Sequence, residues 1–563
     1  MAVNKVVLGE RTLIDLSLAT ATEADVAKGK YFHRADGEIV EGTLEGSGGG
    51  GSGGGGLVER DVNFYDYDGT LLYAYPRVAA LEMTELPAPP THEGLPFQEW
   101  NWTLDEIKSV DDQIVYVGAI YTTDDGKTRL YIDIGMDLQK TVNLCICEAG
   151  GGNVTVNWGD GTDEETYDIS NQESGSSYYT ARPTHVYENV GEYIITLHST
   201  STGLHLGYDS YSVFNKSDTN GNSVVYQKIL KKVEFGSSVS FISPKAFYNC
   251  SQLETITMHK NVTTSNQRNS LESHIGYCNS LKHINLPRNF NLSKNCFIGC
   301  LSLEIVSLPG TATILNEYVF SKCTSLKKLT IPPRISHLCK GCFSNTLLTR
   351  LVLPKTLNYV EASAISYMNL LEEIVIKAER PTTWKTGAEG CRRLKTFKYP
   401  STATEIQSNA FNNCSLLESI DIPTGVKSVG GNAFQNCNSI EEIHLPDSVT
   451  SIGSSAFYGC GSLGSVNIPE GVSIINGSTF YRCWALTSLE IPQSVTSIGT
   501  QAFYNCTNMK YIDFSRHTAV PTLSGSNAFN GTSKLEIRVP SALYDEWIAA
   551  TNWSSVASKI VAV

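Results

Sequence analysis

No run of about 18 apolar residues occurs, so no segment is long enough to cross a bilayer as a helix. Positive charge is scarce. The 43 Lys and Arg stand against 57 Asp and Glu, a formal net charge of −14, which argues against nucleic acid as a partner because polyphosphate binding needs clustered cations. The N-terminal MAVNKVVLGERTLIDLSL has no basic patch, long apolar run or small-residue cleavage site, and the C-terminal KIVAV has no anchor. A chain made in a cytoplasm, and exposed outside only after lysis, is the expectation. Also missing are GxSxG, HExxH, a phosphate-binding loop and a paired-carboxylate signature. This predicts a non-enzyme without cofactor or metal, although carboxylates that meet only across a folded face would escape such a search.

What is present is repetition. At 563 residues the chain exceeds the roughly 100–200 of one domain, and its 41% hydrophobic content argues for packed cores. From IGTQAFYNCTNMKYIDF (Ile498 to Phe514), stepping back by 23 residues gives INGSTFYRCWALTSLEI, then IGSSAFYGCGSLGSVNI. The consensus I-G-x-x-A-F-x-x-C-x-x-L-x-x-I-x-I-P is anchored at Cys250, Cys278, Cys300, Cys323, Thr346, Met368, Cys391, Cys414, Cys437, Cys460, Cys483, Cys506 and Thr532, thirteen turns in all. A period of 22 or 23 lies in the range of leucine-rich repeats, where one turn cannot bury its apolar side alone. L-x-x-I-x-I alternates as a strand, and Pro423, Pro446, Pro469 and Pro492 end it for want of an N–H. At ~4.8 Å per turn the stack is a rod on the order of 60 Å long.

Fifteen cysteines raise the question of disulfides or metal. A reducing compartment and the register speak against both, since the cysteine slot also takes Met368, Thr346 and Thr532, which a ligand site would not tolerate. Cys339 with Cys342, and Cys296 with Cys300, have zinc-like spacing but no second pair to complete four ligands. Core packing is the reading of the ladder.

Between the inward residues of each strand, outward ones stack into columns. One holds Thr257, Asn285, Ser307, Thr330, Val352, Val375, Lys398, Asp421, His444, Asn467, Glu490 and Asp513; its neighbour runs from Lys328 through Arg350, Glu373 and Glu442 to Tyr511. The middle is basic and the C-terminal half acidic, a division suited to a polar receptor, with an ordinary solvated surface as the alternative. Lys328, Arg350, Lys398, His444 and Tyr511 are the candidate ligand-binding residues.

The repeat resembles the BspA-type leucine-rich repeat family over residues 228–540, and the resemblance implies extracellular adhesion and protein or glycan binding without catalysis. LYDEWIAATNWSS, with Trp547 and Trp553, is similar to the terminal cap of such arrays, here 541–563. TLIDLSLATATEADVAKGKYFHRADGEIVEGTL, in 1–44, resembles an N-terminal module of phage virion appendages; Thr22 is a helix cap within it and Asp36-Gly37 a hairpin turn. Residues 45–56 form a Gly-rich flexible linker, natural or engineered, of about 18 Å root-mean-square span. Residues 57–108, with a hairpin at Asp68-Gly69 and the ending FQEWNW, resemble an internalin-type β-repeat in which Trp100 and Trp102 are core and surface. Residues 109–200 open with the expected hairpin IVYVGAIYTTDDGKTRLYIDI, and VTVNWGDGT with THVYENVGEYIITL resembles a PKD-like immunoglobulin-type β-sandwich. There Asp160 and Asp163 serve a turn or hold calcium, the turn being preferred, and His185 is structural. Residues 201–227 read as an irregular bridge.

The fold class expected is mainly β with α+β elements: a small docking module, a β-repeat and a β-sandwich, then a solenoid. The functional expectation is a virion appendage that recognises the host surface, with a bacterial surface adhesin or a purely structural head or tail decoration as alternatives. Virion proteins, a host-surface glycan or protein, and a homotrimer are the partners this reading entertains, without membrane insertion.

Overall fold

The computed structural model describes residues 60–135, 140–148, 152–169, 179–200, 203–207, 212–214, 228–264 and 273–563, together with four short strands near the N-terminus. Those four are β1 (Lys5–Leu8) and β2 (Arg11–Asp15), paired antiparallel, and β3 (Tyr31–His33) and β4 (Ile39–Glu41), a second antiparallel pair; the expected turn at Asp36-Gly37 lies outside the described residues. The Thr22 cap and the Gly-rich linker lie outside the described residues.

The solenoid carries fourteen strands of the L-x-x-I-x-I type, from Leu230–Glu234 to Glu536–Val539, stacked in parallel register as in Thr396↔Ser419 and Lys398↔Asp421. Most turns also supply a second, short strand that the pattern did not announce, such as Ser428–Val429 and Ser451–Ile452, and these stack in parallel apart from the first ladder. Between the ladders, Phe411, Phe434, Phe457, Phe480, Phe503 and Phe529 lie face to face with centroids 5.4–5.5 Å apart. The residue before every anchor position, from Asn249 through Asn436 and Gly459 to Gly531, has positive φ. Asn and Gly recur there because they tolerate the left-handed region best, and the turn needs it to swing the chain from Phe back to the strand.

All fifteen cysteines are buried, and none is in a disulfide. Within the ladder most thiols point at a carbonyl of the turn before: Cys437 Sγ lies 3.1 Å from Phe411 O, Cys460 Sγ 3.0 Å from Phe434 O, and Cys506 Sγ 3.0 Å from Phe480 O. Burial pushes the Cys460 and Cys506 thiols up to about 12, so they stay protonated and donate. Cysteine thus fills a small apolar slot and supplies a weak donor to a carbonyl that also accepts the anchor N–H of its own turn, as Phe434 O does from Cys437 N at 3.1 Å.

Residues 60–121 make a compact mixed unit. β5 (Val62–Tyr65) and β6 (Leu71–Tyr75) form the expected hairpin; α1 (Arg77–Glu82), β7 (Phe97–Trp100), α2 (Leu104–Ser109) and β8 (Val115–Tyr121) follow, in sheet order β6-β5-β8-β7. The expected hairpin over 114–134 does not form. β8 belongs to this unit, whereas β9 (Thr128–Ile134) pairs with Gly191–Ser199 and Leu230–Glu234. The turn at Gly126 is real, with φ +71°, but Thr123 N and Thr122 Oγ1 bond Phe235 O at 3.2 Å each, which sends the two strands to different sheets.

The sandwich is not a separate spacer. One of its sheets continues through β9 into Leu230–Glu234 and Thr255–Thr257 of the long ladder; the other runs through Leu204–Leu206 into Val239–Ile242 and Thr263–Thr264 of the short one. Leu204–Leu206, expected within an irregular bridge, is therefore a ladder strand. A single hydrophobic core extends from Leu130 to Ile560. The sandwich covers the N-terminal end of the solenoid as Trp547 and Trp553, both fully buried against Phe514, cover the C-terminal end.

Candidate recognition face

The outward columns of the long ladder form a regular surface, and their register is as the spacing implies: Ile305 beside Lys328, Arg350 beside Glu373, Glu490 beside Asp513. The surface is not open along its length. Unit 60–121 lies across its first part, so Asn285, Ser307 and Thr330 are 4%, 0% and 1% exposed. The expectation that these columns are solvent-facing throughout is corrected there.

The covering segment runs from Asp111 to Thr123 and crosses the turns one after another. Lys377 Nζ meets Asp111 at 2.7 Å, Arg350 meets the Asp112 carboxylate at 2.9 Å, and the Gln113 amide exchanges two bonds with Ile331 at 3.0 and 3.1 Å. Thr330 Oγ1 donates to Ile114 O at 2.9 Å and accepts from Tyr116 N at 2.9 Å. Ser307 Oγ donates to Tyr116 O at 2.7 Å, and the Asn285 amide donates to Ala119 O at 3.1 Å and to Asp66 O at 3.0 Å. Short hydroxyl and amide side chains of the ladder thereby bind the main chain of an extended strand. Gly118 is required here, because a Cβ on it would sit 2.3 Å from Asn285 Cγ.

Around this seam the fit is polar and closed. Asn101, fully buried, donates to Leu286 O at 3.1 Å and Ser307 O at 3.0 Å, and Trp102 Nε1 donates to Leu308 O at 2.6 Å. Trp102, expected on the surface of its module, is 1% exposed because it docks on the ladder. Glu106 closes a capping box with Thr103 on α2 and takes a bidentate pair from Arg288 at 2.7 and 2.9 Å.

The five candidate residues therefore lie in different settings. Lys328 is half-buried beside the covering unit, and Arg350 is committed to Asp112 and, at 2.6 Å, to Glu373. Lys398 is exposed and 3.2 Å from Asp421; His444 is exposed; Tyr511 lies under the Arg538 guanidinium at 3.9 Å. They span nine successive strands and make no single patch. Sequence reasoning missed the cover and the parts that Asn101 and Gly118 play in seating it on the ladder. The signal was in the column itself, which is uncharged from Thr257 to Val375 and carries charge from Lys398 onward.

Elsewhere, Asp160 has the turn role: Oδ1 accepts from Thr162 N and Oγ1 at 3.1 and 2.6 Å, and Oδ2 meets His185 Nε2 at 2.6 Å. Partial burial works against its charge, yet these bonds hold its carboxyl down at about 2. His185 stacks on Trp158 at 4.9 Å. Among the described residues no group of three or more His, Cys, Asp or Glu could hold a metal ion.

A family model for the BspA type leucine rich repeat region, in six copies, matches residues 213–292, 291–418, 388–485 and 427–545, together more than half of the chain. Among solved structures, a leucine-rich repeat protein from Bacteroides ovatus is 19% identical, over 62% of this chain and 97% of its own, with TM-score 0.40. A leucine rich cell surface protein from Faecalibacterium prausnitzii is 23% identical, over 57% and 80%, with TM-score 0.34, and a leucine-rich repeat protein from Eubacterium ventriosum 17%, over 45% and 83%, with TM-score 0.33. No curated protein sequence matches significantly. The matches do not extend to the resemblances expected for residues 1–44, 57–108 and 109–200.

Proposed function

The chain belongs to the BspA-type leucine-rich repeat family, and from that premise we propose that it is a surface-displayed recognition protein of the adhesion type, binding through the uncovered part of its long ladder. The observation that carries this reading is the change in the ladder face. Its first turns are sealed by the chain's own residues 60–121, while Lys398, Asp421, His444 and Glu490 stay exposed on a rigid, capped stack that gives them no packing role. Leucine-rich repeat proteins are generally binding or scaffold proteins rather than enzymes. The receptor class is a cell-surface glycan or protein. Attachment of the full chain to intact candidate host cells tests the proposal: Ala at Lys398, His444 and Tyr511 should weaken attachment several-fold with the melting temperature kept, and undiminished attachment rejects the ladder face.

The finer reading, display on a phage virion through residues 1–44 and assembly there as a trimer with other virion proteins, rests on the resemblance of that stretch alone. Detection of the chain in purified virions supports it. Presence on a bacterial surface instead moves the protein to the adhesin alternative, and loss of virion integrity without loss of attachment moves it to a structural component.

A further inference from the structure

The internal seam shows what this ladder face does when something lies on it. An extended strand runs across the stacked turns, and three successive turns offer Asn285, Ser307 and Thr330 to the main chain of the segment 114–119, while the next two meet it with Arg350 and Lys377. The seam ends at Lys377, which meets Asp111. Beyond it the same face continues uncovered for six turns, from Thr396–Lys398 to Tyr511–Asp513. At the register of Asn285, Ser307 and Thr330 it carries Lys398, Asp421, His444, Asn467, Glu490 and Asp513, and the short hydroxyls stand two residues earlier on their strands, where Ser419 and Ser465 are exposed and Ser488 half-exposed. The difference is charge. Asp421, Glu442 and Glu490 are exposed among these hydroxyls, and the one nearby lysine of the column, Lys398, already faces Asp421.

We propose that this uncovered face takes an extended, basic polypeptide strand of a partner protein, laid along the solenoid axis as residues 111–123 are laid along its first turns. Ser419, Ser465 and Ser488 bond the partner's main chain, and Glu442 and Glu490 receive its Lys or Arg side chains. Six turns at ~4.8 Å give five spacings, about 24 Å, the reach of roughly seven extended residues. Continuity with the internal seam sets the binding mode, and complementarity of charge sets the partner's sign.

The inference rests on the adhesion reading and narrows its receptor to protein. Panning a display library of random peptides about a dozen residues long against the intact chain tests it. Sequences that place Lys or Arg at alternate positions should be enriched, and their binding should weaken with salt. E442K/E490K should lower their affinity by about tenfold or more at an unchanged melting temperature, whereas reversing Glu405, on the short ladder, should leave it unchanged. S465V/S488V should weaken the same peptides without changing their salt dependence. No enrichment, peptides indifferent to these changes, or displacement of the peptides only by neutral oligosaccharides would overturn the proposal. Cell attachment read in parallel separates the two claims: cells bound with no peptide enriched overturns the strand alone, and peptides enriched with no cell bound overturns the adhesion reading.

Discussion

Asn285 and Gly118 fit as a pair, since the amide occupies the volume a Cβ at 118 would need. Gly118→Ala is therefore expected to destabilise the seam by about 1–3 kcal/mol, and Asn285→Ala made together with it should recover part of that loss. Urea unfolding of the two single variants and the double one measures the coupling. The thiols give a second expectation at this scale. All are buried, and burial pushes Cys391, Cys460 and Cys506 up to about 12, so these three hold almost no thiolate at neutral pH. A thiol reagent should titrate all fifteen only after unfolding, and rapid modification of several in the native protein would contradict the structure. Sequence alone identified the slot as core, because Met and Thr also fill it. It did not identify the donor role, because the carbonyl that receives each thiol lies 26 residues earlier for most of them.

The phenylalanine stack belongs to the scale of the element. Phe457→Ala removes a ring held between Phe434 and Phe480 at 5.4 Å on each side, and is expected to cost about 3–5 kcal/mol. Nearest-neighbour coupling should spread the loss of hydrogen-exchange protection first into the adjoining turns. Buried imidazoles set a pH dependence on the N-terminal turns. Burial pulls His205 and His283 down to about 4 and His274 to about 3, against an ordinary value near 6.5. Between those values the unfolded chain binds more protons than the folded one, so stability rises with pH in that window. The urea midpoint should fall as pH drops from about 6.5 to about 4, and replacing His274 by an apolar side chain should flatten the slope. The repeat and its inward strand were legible because the period is long and the pattern local. The second ladder was less so: two residues per turn, as in Ser451–Ile452, leave too short an alternation to read.

Across the whole molecule, the sandwich and the solenoid share their sheets and one core, so neither end of the stack meets water with an open apolar turn. A chain beginning at residue 228 would expose Leu230–Glu234 and Val239–Ile242 as bare edges. It is expected to aggregate on size-exclusion chromatography, whereas removal of residues 60–121 should leave a soluble protein with a lower melting temperature. This arrangement was not legible from residue patterns, because pairing β9 with Leu230–Glu234 joins strands nearly a hundred residues apart. The turn TTDDGK reads locally as a hairpin, and only its bonds to Phe235 show otherwise.

The strand that crosses the first turns also fixes how the protein bears load. A solenoid pulled along its axis gives way turn by turn, each turn parting from the next in sequence, so the force needed is that of a single interface. Between Asn285 and Lys377 the crossing segment grips every turn at once. Those grips share the tension and must slip together, so the segment acts as a splint. Under traction the turns beyond Lys377 would then yield before the splinted ones do.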